Sequence, residues 1–479
     1  MVLAAAFLAG GLLGFASTAP AAPDSLRRFA VDSLMLTQCP GYQKVRVKQV
    51  LFAGNNVTKE RILRAELDYR EGDSLNVASL TGRLEENRLR LFNLRLFTSV
   101  QQQITCRDGE LIVLIAVQER WYTFPVPVLG IADRNFKAWY NRPDRWRRID
   151  YGLYLVRSNF RGRNEEIRGN LQLGFNRRYE LFYTVPQLGR RGAGISAGGS
   201  YYRSHALDFT TRNDSLIAFR DDQDFPIERW YVTGGLRWRR DVQRLTTLEG
   251  FYFNEQVSDS ISRRNPTYFL SGNQRRYVDM VLSRTVNERN TFAYPLTGRF
   301  VQLSLTQRAF LGSNTPPITS LLGRYARYFD LGRRFYYSAS AEGRLRFARR
   351  LAYTDSHALG FKRASVRGYD AYVVDGRHYG LLRQGFSYRL LDANELRLPF
   401  FNDPRFGSVP LQLYLNTFTD AGYVAERTVP RTNQLPNQLL ASVGIGLHLV
   451  TYYDRVFTLE YTRTRHGFGG FFFRSEFPI

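Results

Sequence analysis

Beyond about Thr123 the chain is a succession of stretches, each roughly ten residues long, in which apolar and polar side chains alternate. The third stretch sets Ile167, Leu171, Leu173 and Phe175 against Arg168, Asn170 and Gln172. The ninth sets Val301, Leu303 and Leu305 against Gln302, Ser304 and Thr306, and the fifteenth sets Phe457, Leu459 and Tyr461 against Thr458, Glu460 and Thr462. A period of two is that of a β-strand with two unlike faces. Alternation alone would also suit a soluble sandwich, whose apolar faces meet in a core. Spacing argues otherwise: about 357 residues divide into about sixteen strands of membrane-crossing length, and no apolar run is long enough for a membrane helix. The connections alternate as well. Those near 204–228, 254–276, 349–387 and 423–438 are long and polar, whereas Arg240-Asp241-Val242-Gln243, Leu331-Gly332-Arg333-Arg334 and Tyr453-Asp454-Arg455 are short. Long outer loops and short inner turns are the arrangement of an outer-membrane barrel.

The chain starts differently. An apolar run from Val2 to Ser17 precedes Ala19-Pro20-Ala21-Ala22-Pro23 and reads as a secretory signal over 1–22, cleaved after Ala21 or Ala22, although no Lys or Arg precedes the run. Leu36-Thr37-Gln38-Cys39 is a poor lipidation box, because Arg27, Arg28 and Asp32 break the apolar stretch before it. A tail over 23–43 leads to a compact segment at 44–120. Export to an oxidising compartment makes the two cysteines, Cys39 and Cys106, a predicted disulfide; with no nearby His they cannot complete a zinc shell. Val45 to Phe52 alternates as a strand, Asn55-Asn56 turns, and Thr58 is the expected cap of a helix carrying Ile62, Leu63 and Leu67. A second helix with Leu80, Leu84, Leu89 and Leu91 follows, then strands from Phe97 to Thr105 and Leu111 to Gln118. Through Phe52-Ala53-Gly54-Asn55-Asn56-Val57-Thr58 and Leu96-Phe97-Thr98-Ser99-Val100 the segment resembles a POTRA domain, of which one copy is found. The predicted fold class is therefore mainly β: a small α+β POTRA domain, then a transmembrane antiparallel β-barrel of about sixteen strands over 121–479.

The net charge of +24 comes almost entirely from arginine, since only five residues are lysine. The cations are spread along alternating strands, with no basic helix or tail, which argues against nucleic acid. An arginine-lined lumen and contacts to anionic lipid headgroups account for the same charge.

One loop stretch stands out, Ala364-Ser365-Val366-Arg367-Gly368-Tyr369-Asp370. A guanidinium beside a glycine and among apolar neighbours points to fixed acceptors. Glu395 falls on the polar face of strand twelve with Arg397, and Asp420 on that of strand thirteen with Gln412, Tyr414 and Asn416, so both are expected in the lumen. A POTRA unit, a barrel and Val366-Arg367-Gly368-Tyr369 in a long late loop together resemble the outer-membrane assembly-factor superfamily of BamA and TamA, over about residues 44 to 477. The resemblance implies contacts from Arg367, with Gly368 and Tyr369 beside it, to Glu395 and Asp420. It also implies an outer-membrane protein of a Gram-negative bacterium, with the POTRA domain and both termini in the periplasm. The implied partners are unfolded outer-membrane proteins or a secreted partner, with accessory periplasmic proteins. Two other readings stay open: export of a dedicated partner through the pore, and a passive porin. A single POTRA unit, and an end two residues past Phe477, depart from the family pattern.

Strand one reads Thr123-Phe124-Pro125-Val126-Pro127-Val128-Leu129-Gly130-Ile131. Proline has no N–H, and residues two apart present theirs to the same edge, so Pro125 and Pro127 strip donors from one edge. That edge is expected to face strand sixteen, around Gly470, Phe473 and Phe477, as a weak lateral seam. No catalytic site, cofactor or metal site is expected. Gly194-Ile195-Ser196-Ala197-Gly198 has nucleophile-elbow spacing but lies in an alternating strand, not a strand-to-helix turn. The five histidines, His205, His357, His378, His448 and His466, lack metal-ligand spacing, and no phosphate-binding glycine loop is present.

Overall fold

A computed structural model describes residues 41–132, 139–140, 143–188, 193–239, 243–361, 364–397, 408–451 and 455–476. The chain divides into two compact units, Met1–Phe175 and Asn176–Ile479. The signal, the tail as far as residue 40 with Cys39, and Phe477 lie outside the described residues, so the predicted bridge from Cys39 to Cys106 remains an expectation.

In the first unit, β1 (Lys44–Ala53), α1 (Glu60–Glu66), β2 (Ser74–Asn76), α2 (Val77–Phe92), β3 (Phe97–Arg107) and β4 (Glu110–Glu119) form a four-stranded sheet in the order β2-β1-β4-β3 with two helices. The alternation in β1 and β4 buries Val45, Val47, Leu111, Val113 and Ile115, and the helical spacing in α2 brings Leu80, Leu84 and Leu91 onto them. Asn76 caps α2 by accepting from the Ala78 N–H at 3.0 Å. Thr58 does not cap α1, contrary to the sequence expectation. Its hydroxyl donates to Glu119 at 2.5 Å and accepts from Asn159 Nδ2 at 2.7 Å, and this buried pairing competes successfully with a cap.

Three strands continue the unit: β5 (Thr123–Ile131), β6 (Ile149–Phe160) and β7 (Glu165–Gly174), antiparallel in sequence order. The β6–β7 turn packs on the small sheet's loop at Thr58. Lys59 N–H donates to Gly162 O at 2.9 Å, and a Cβ on Gly162 would stand 2.0 Å from Val57 O, so only glycine permits this approach. Beside it Tyr122 donates to Leu96 O at 3.0 Å, and burial pushes its phenol well above the usual range.

The second unit begins with β8 (Asn176–Leu188), β9 (Ala193–Ser204), β10 (Ala206–Arg212), β11 (Ser215–Arg220), β12 (Ile227–Arg239) and β13 (Arg244–Val257). A short helix α3 (Asp259–Arg264) precedes β14 (Gln274–Asn287), β15 (Gly298–Leu311), β16 (Ile318–Gly332) and β17 (Phe335–Phe347). After β18 (His357–Leu359) and β19 (Val374–Asp375), the chain closes with β20 (His378–Arg397), β21 (Ser408–Ala425), β22 (Leu439–Thr451), β23 (Arg455–Thr464) and β24 (Gly469–Glu476). Two pairs, β10–β11 and β18–β19, are small loop hairpins. The remaining strands and β5 to β7 make the sixteen-stranded antiparallel sheet of the barrel, ordered from β24 at one end to β5 at the other. Strand β20 begins at His378, earlier than the expected loop end at 387, because Tyr379 and Leu381 already alternate with the exposed Leu382.

Burial along these strands is inverted relative to a soluble sheet. Leu236, Leu303, Leu382 and Leu459 are exposed, whereas Glu255, Asp420, Glu460 and Thr462 are buried. A sheet whose apolar face meets lipid and whose polar face lines the interior has this pattern. Phe175 is an exception to the predicted third-strand face: it is buried in the turn after β7, under the Arg148 guanidinium at 4.6 Å. The long loops of the second unit pack together. Ile227, Val257, Ile261, Tyr268 and Phe269 form a core of their own, and Asp214, at the tip of β10–β11, accepts from the Gln434 and Leu435 N–H groups at 2.9 and 3.2 Å.

Candidate functional site

The connection from β17 to β20, residues 348–377, folds back on the inner face of the sheet. Leu359, Ala364, Val366, Tyr369 and Val374 bury themselves against Tyr379, Leu381, Val424 and Leu440 of the wall. This apolar seating holds the loop tip against the wall where its charges pair.

Arg367 is the residue so delivered. Its Nε and Nη2 donate to the two oxygens of Asp420 at 2.8 and 2.6 Å, its backbone N–H donates to Asp420 Oδ2 at 3.1 Å, and Nη1 donates to Glu460 Oε1 at 3.2 Å. The guanidinium lies 3.5 Å from the Phe418 ring centroid. A bidentate fork with a stacked face is geometry that lysine cannot reproduce. Gly368 follows at φ +88°, where a Cβ would meet Thr464 Cγ2 at 2.7 Å and Thr462 Cγ2 at 2.8 Å. Both the backbone angle and the space therefore require glycine. The Tyr369 hydroxyl lies 2.6 Å from His466 Nδ1 in the β23–β24 turn.

The sequence expectation is corrected at the second acid. Asp420 pairs in register with Arg383 on β20, and Glu395 lies twelve positions further along that strand, about 40 Å away at strand rise. Its side chain is outside the described residues, but its backbone position is beyond the reach of Arg367. Glu460 takes the place instead. Across the β21, β22 and β23 ladders Asp420 is level with Ser442 and Thr464, which puts Glu460 four positions from that level. The signal was present in the alternation of the fifteenth strand, where Glu460 is an acid on the polar face.

Glu460 collects further partners. Arg474 of β24 pairs with its Oε2 and also donates to Asp370 at 2.7 Å, and His448 Nε2 lies 3.2 Å from its Oε1. The Tyr294 hydroxyl is 3.0 Å from His448 Nδ1, and its ring packs on Tyr414. Tyr294 belongs to the β14–β15 connection, at the other end of the strands from the motif loop's origin. A continuous chain of polar contacts thus runs from that connection through His448 and Glu460 to Arg367. Sequence reasoning missed Tyr294, His466 and Arg474 because no local pattern marks them.

A second buried charge cluster ties down the start of the loop. Asp355 accepts from Arg275 at 3.0 Å and Arg308 at 2.6 Å, while these arginines also hold Glu255 and Asp279 at 2.6 and 2.7 Å. Among the described residues no group of His, Cys, Asp and Glu has metal-binding geometry.

The proline edge can be phased from two bonds that bracket β5. Ser158 N–H donates to Tyr122 O at 2.8 Å, and Ala132 N–H donates to Arg148 O at 2.9 Å. Antiparallel partners alternate between bonded and outward-facing pairs, so even-numbered residues of β5 bond to β6. Pro125, opposite Leu155, and Pro127, opposite Leu153, occupy the outward pairs. Their nitrogens face the edge that β6 does not use. At the other end of the sheet order, Gly470 and Phe473 pair with Thr462 and Leu459, and Phe473 points its ring outward.

A profile of the Omp85 superfamily domain matches residues 159–451, and one for POTRA, the surface antigen variable number repeat, matches residues 45–120. No curated protein sequence matches the chain. Among solved structures, BamA from Haemophilus ducreyi lacking POTRA domains 1–3 superposes with a TM-score of 0.52 at 15% identity, covering 90% of this chain and 84% of that one. CdiB from Escherichia coli gives 0.53 at 14% identity, covering 90% and 76%. These likenesses are of fold.

Proposed function

The chain belongs to the Omp85 superfamily, and from that premise we propose that it is an outer-membrane assembly factor of a Gram-negative bacterium that receives unfolded barrel strands and inserts them sideways. The observation that carries this reading is the outward placement of the Pro125 and Pro127 nitrogens on β5. A terminal strand lacking two donors makes a weak seam with the last strand, and a weak seam is where an incoming strand can pair transiently. The POTRA domain, with β3 at the edge of its sheet, offers a first docking place by strand addition in the periplasm. No nucleotide is needed, because the substrate's own folding supplies the free energy and the barrel lowers the barrier. The packed outer loops and the Arg367 pairing count against a passive porin, which needs an open lumen. Surplus arginine serves the lumen and anionic headgroups, and accessory periplasmic proteins are further expected partners. Export of one dedicated partner is the competing reading. Depleting the protein and quantifying the outer-membrane proteome separates them: insertion predicts a broad fall in barrel proteins, whereas loss of a single secreted protein with the rest intact overturns it.

A further inference from the structure

The loop tip does more than fill the lumen, because its outermost contacts are with the last strand and the turn before it. Within the second unit β24 has one ladder, to β23. Its inward face carries Arg474, whose guanidinium donates to Asp370 at 2.7 Å and also reaches Glu460. Asp370 is itself braced by the loop, accepting from the Gly368 N–H at 3.0 Å. A second tie is made where β24 begins, at the Tyr369 hydroxyl and His466, 2.6 Å apart. From the geometry of these contacts we infer that the motif loop latches β24, with Arg474 as the positioning residue that couples the strand to the loop tip.

The reasoning is geometric. A terminal strand bonded along one edge frays more readily than one bonded along two, so a tie from its inner face to another element decides how often it leaves. Arg474 makes that tie twice, once to the wall through Glu460 and once to the loop through Asp370. Arg367 reaches the same Glu460 from the loop side at 3.2 Å, so loop, wall and terminal strand share one carboxylate. Lifting the tip would break the Asp370 and Tyr369 contacts together and leave β24 with its ladder and Glu460. The latch deepens the insertion reading and takes its purpose from it, by placing control of the last strand in the loop.

Hydrogen exchange of the full-length protein in lipid nanodiscs, without substrate, tests this. Asp370→Asn should raise exchange across 469–476 about tenfold, Arg474→Ala should raise it further, and the double variant should match Arg474→Ala alone. Strands β13 and β14 should stay at wild-type exchange. Unchanged exchange of 469–476 in Asp370→Asn, an equal rise in β13 and β14, or additive effects in the double variant would each overturn the latch. Should Arg474→Ala fail to fold, the Asp370→Asn arm decides alone. Because no substrate is present, these outcomes are independent of the depletion result that tests insertion.

Discussion

Arg367→Ala removes the guanidinium that holds Asp420 and leaves Glu460, another deeply buried carboxylate, with Arg474 alone as its arginine partner. The expected cost is about 2–4 kcal/mol, reduced to the extent that water enters the lumen. Limited proteolysis should cut within 348–377 in this variant and not in Arg350→Ala, which touches an exposed arginine. Equal cleavage of both would deny Arg367 its special role. Gly368→Ala should behave almost as badly without altering any charge, through left-handed strain and the clash with two threonine methyls, at about 1–3 kcal/mol. A pH effect comes from Asp375 and His357, opposite each other in the β18–β19 hairpin. Burial pushes the Asp375 carboxyl up to about 6, Asp214 and Glu426 add to the rise, and Thr211 and Ser356 oppose it. Its contribution to loop stability is therefore full below about pH 4 and is lost as pH rises through 6. His357 has the opposite sense: burial pushes its imidazole down to about 4, so its contribution is present above 6.5 and is lost as pH falls through 4. Asp375→Asn should accordingly stabilise the loop by about 1–2 kcal/mol at pH 7 and change nothing at pH 4. The same proteolysis assay checks this, and a stabilisation independent of pH would refute the assignment.

Among the elements, β5 makes the sharpest prediction. Pro125→Val with Pro127→Val restores two donors to its outward edge, each contributing about 1 kcal/mol if bonded. The double variant should melt higher and insert substrate more slowly; unchanged insertion at a raised melting temperature would remove the seam from the mechanism. The period of two, with the spacing of the stretches, predicts a barrel of about sixteen strands, because lipid on one face and water on the other leave little choice at each position. It also placed Asp420 on the inner face. Glu395 went wrong for a reason outside any strand: inner-face parity says which side a residue takes, but height along the barrel depends on accumulated register, which is known only once every ladder is paired. Glu460, an acid on the inner face two barrel strands beyond Asp420, lies four positions from its level and so within reach of the same guanidinium. Thr58 misled in a similar way, since its cap-like position is overridden by Asn159, about a hundred residues later.

At the scale of the whole molecule, one carboxylate joins a loop, the wall and the last strand, while the first strand brings an edge short of donors. Both devices make sense if the barrel opens at its seam for another chain. The interior clusters around Asp420 and Asp355 match arginines with carboxylates, so the net charge of +24 is carried by cations outside them. The central claim is that the protein lowers the barrier to inserting another barrel, and reconstitution tests it most directly. The purified full-length protein is placed in liposomes, a urea-denatured outer-membrane barrel protein is added without nucleotide, and the rate at which it becomes heat-modifiable is measured. The account predicts at least a tenfold acceleration over empty liposomes, and a return toward the empty-liposome rate when a disulfide locks β5 to β24. No acceleration, or acceleration that survives the locked seam, would contradict it.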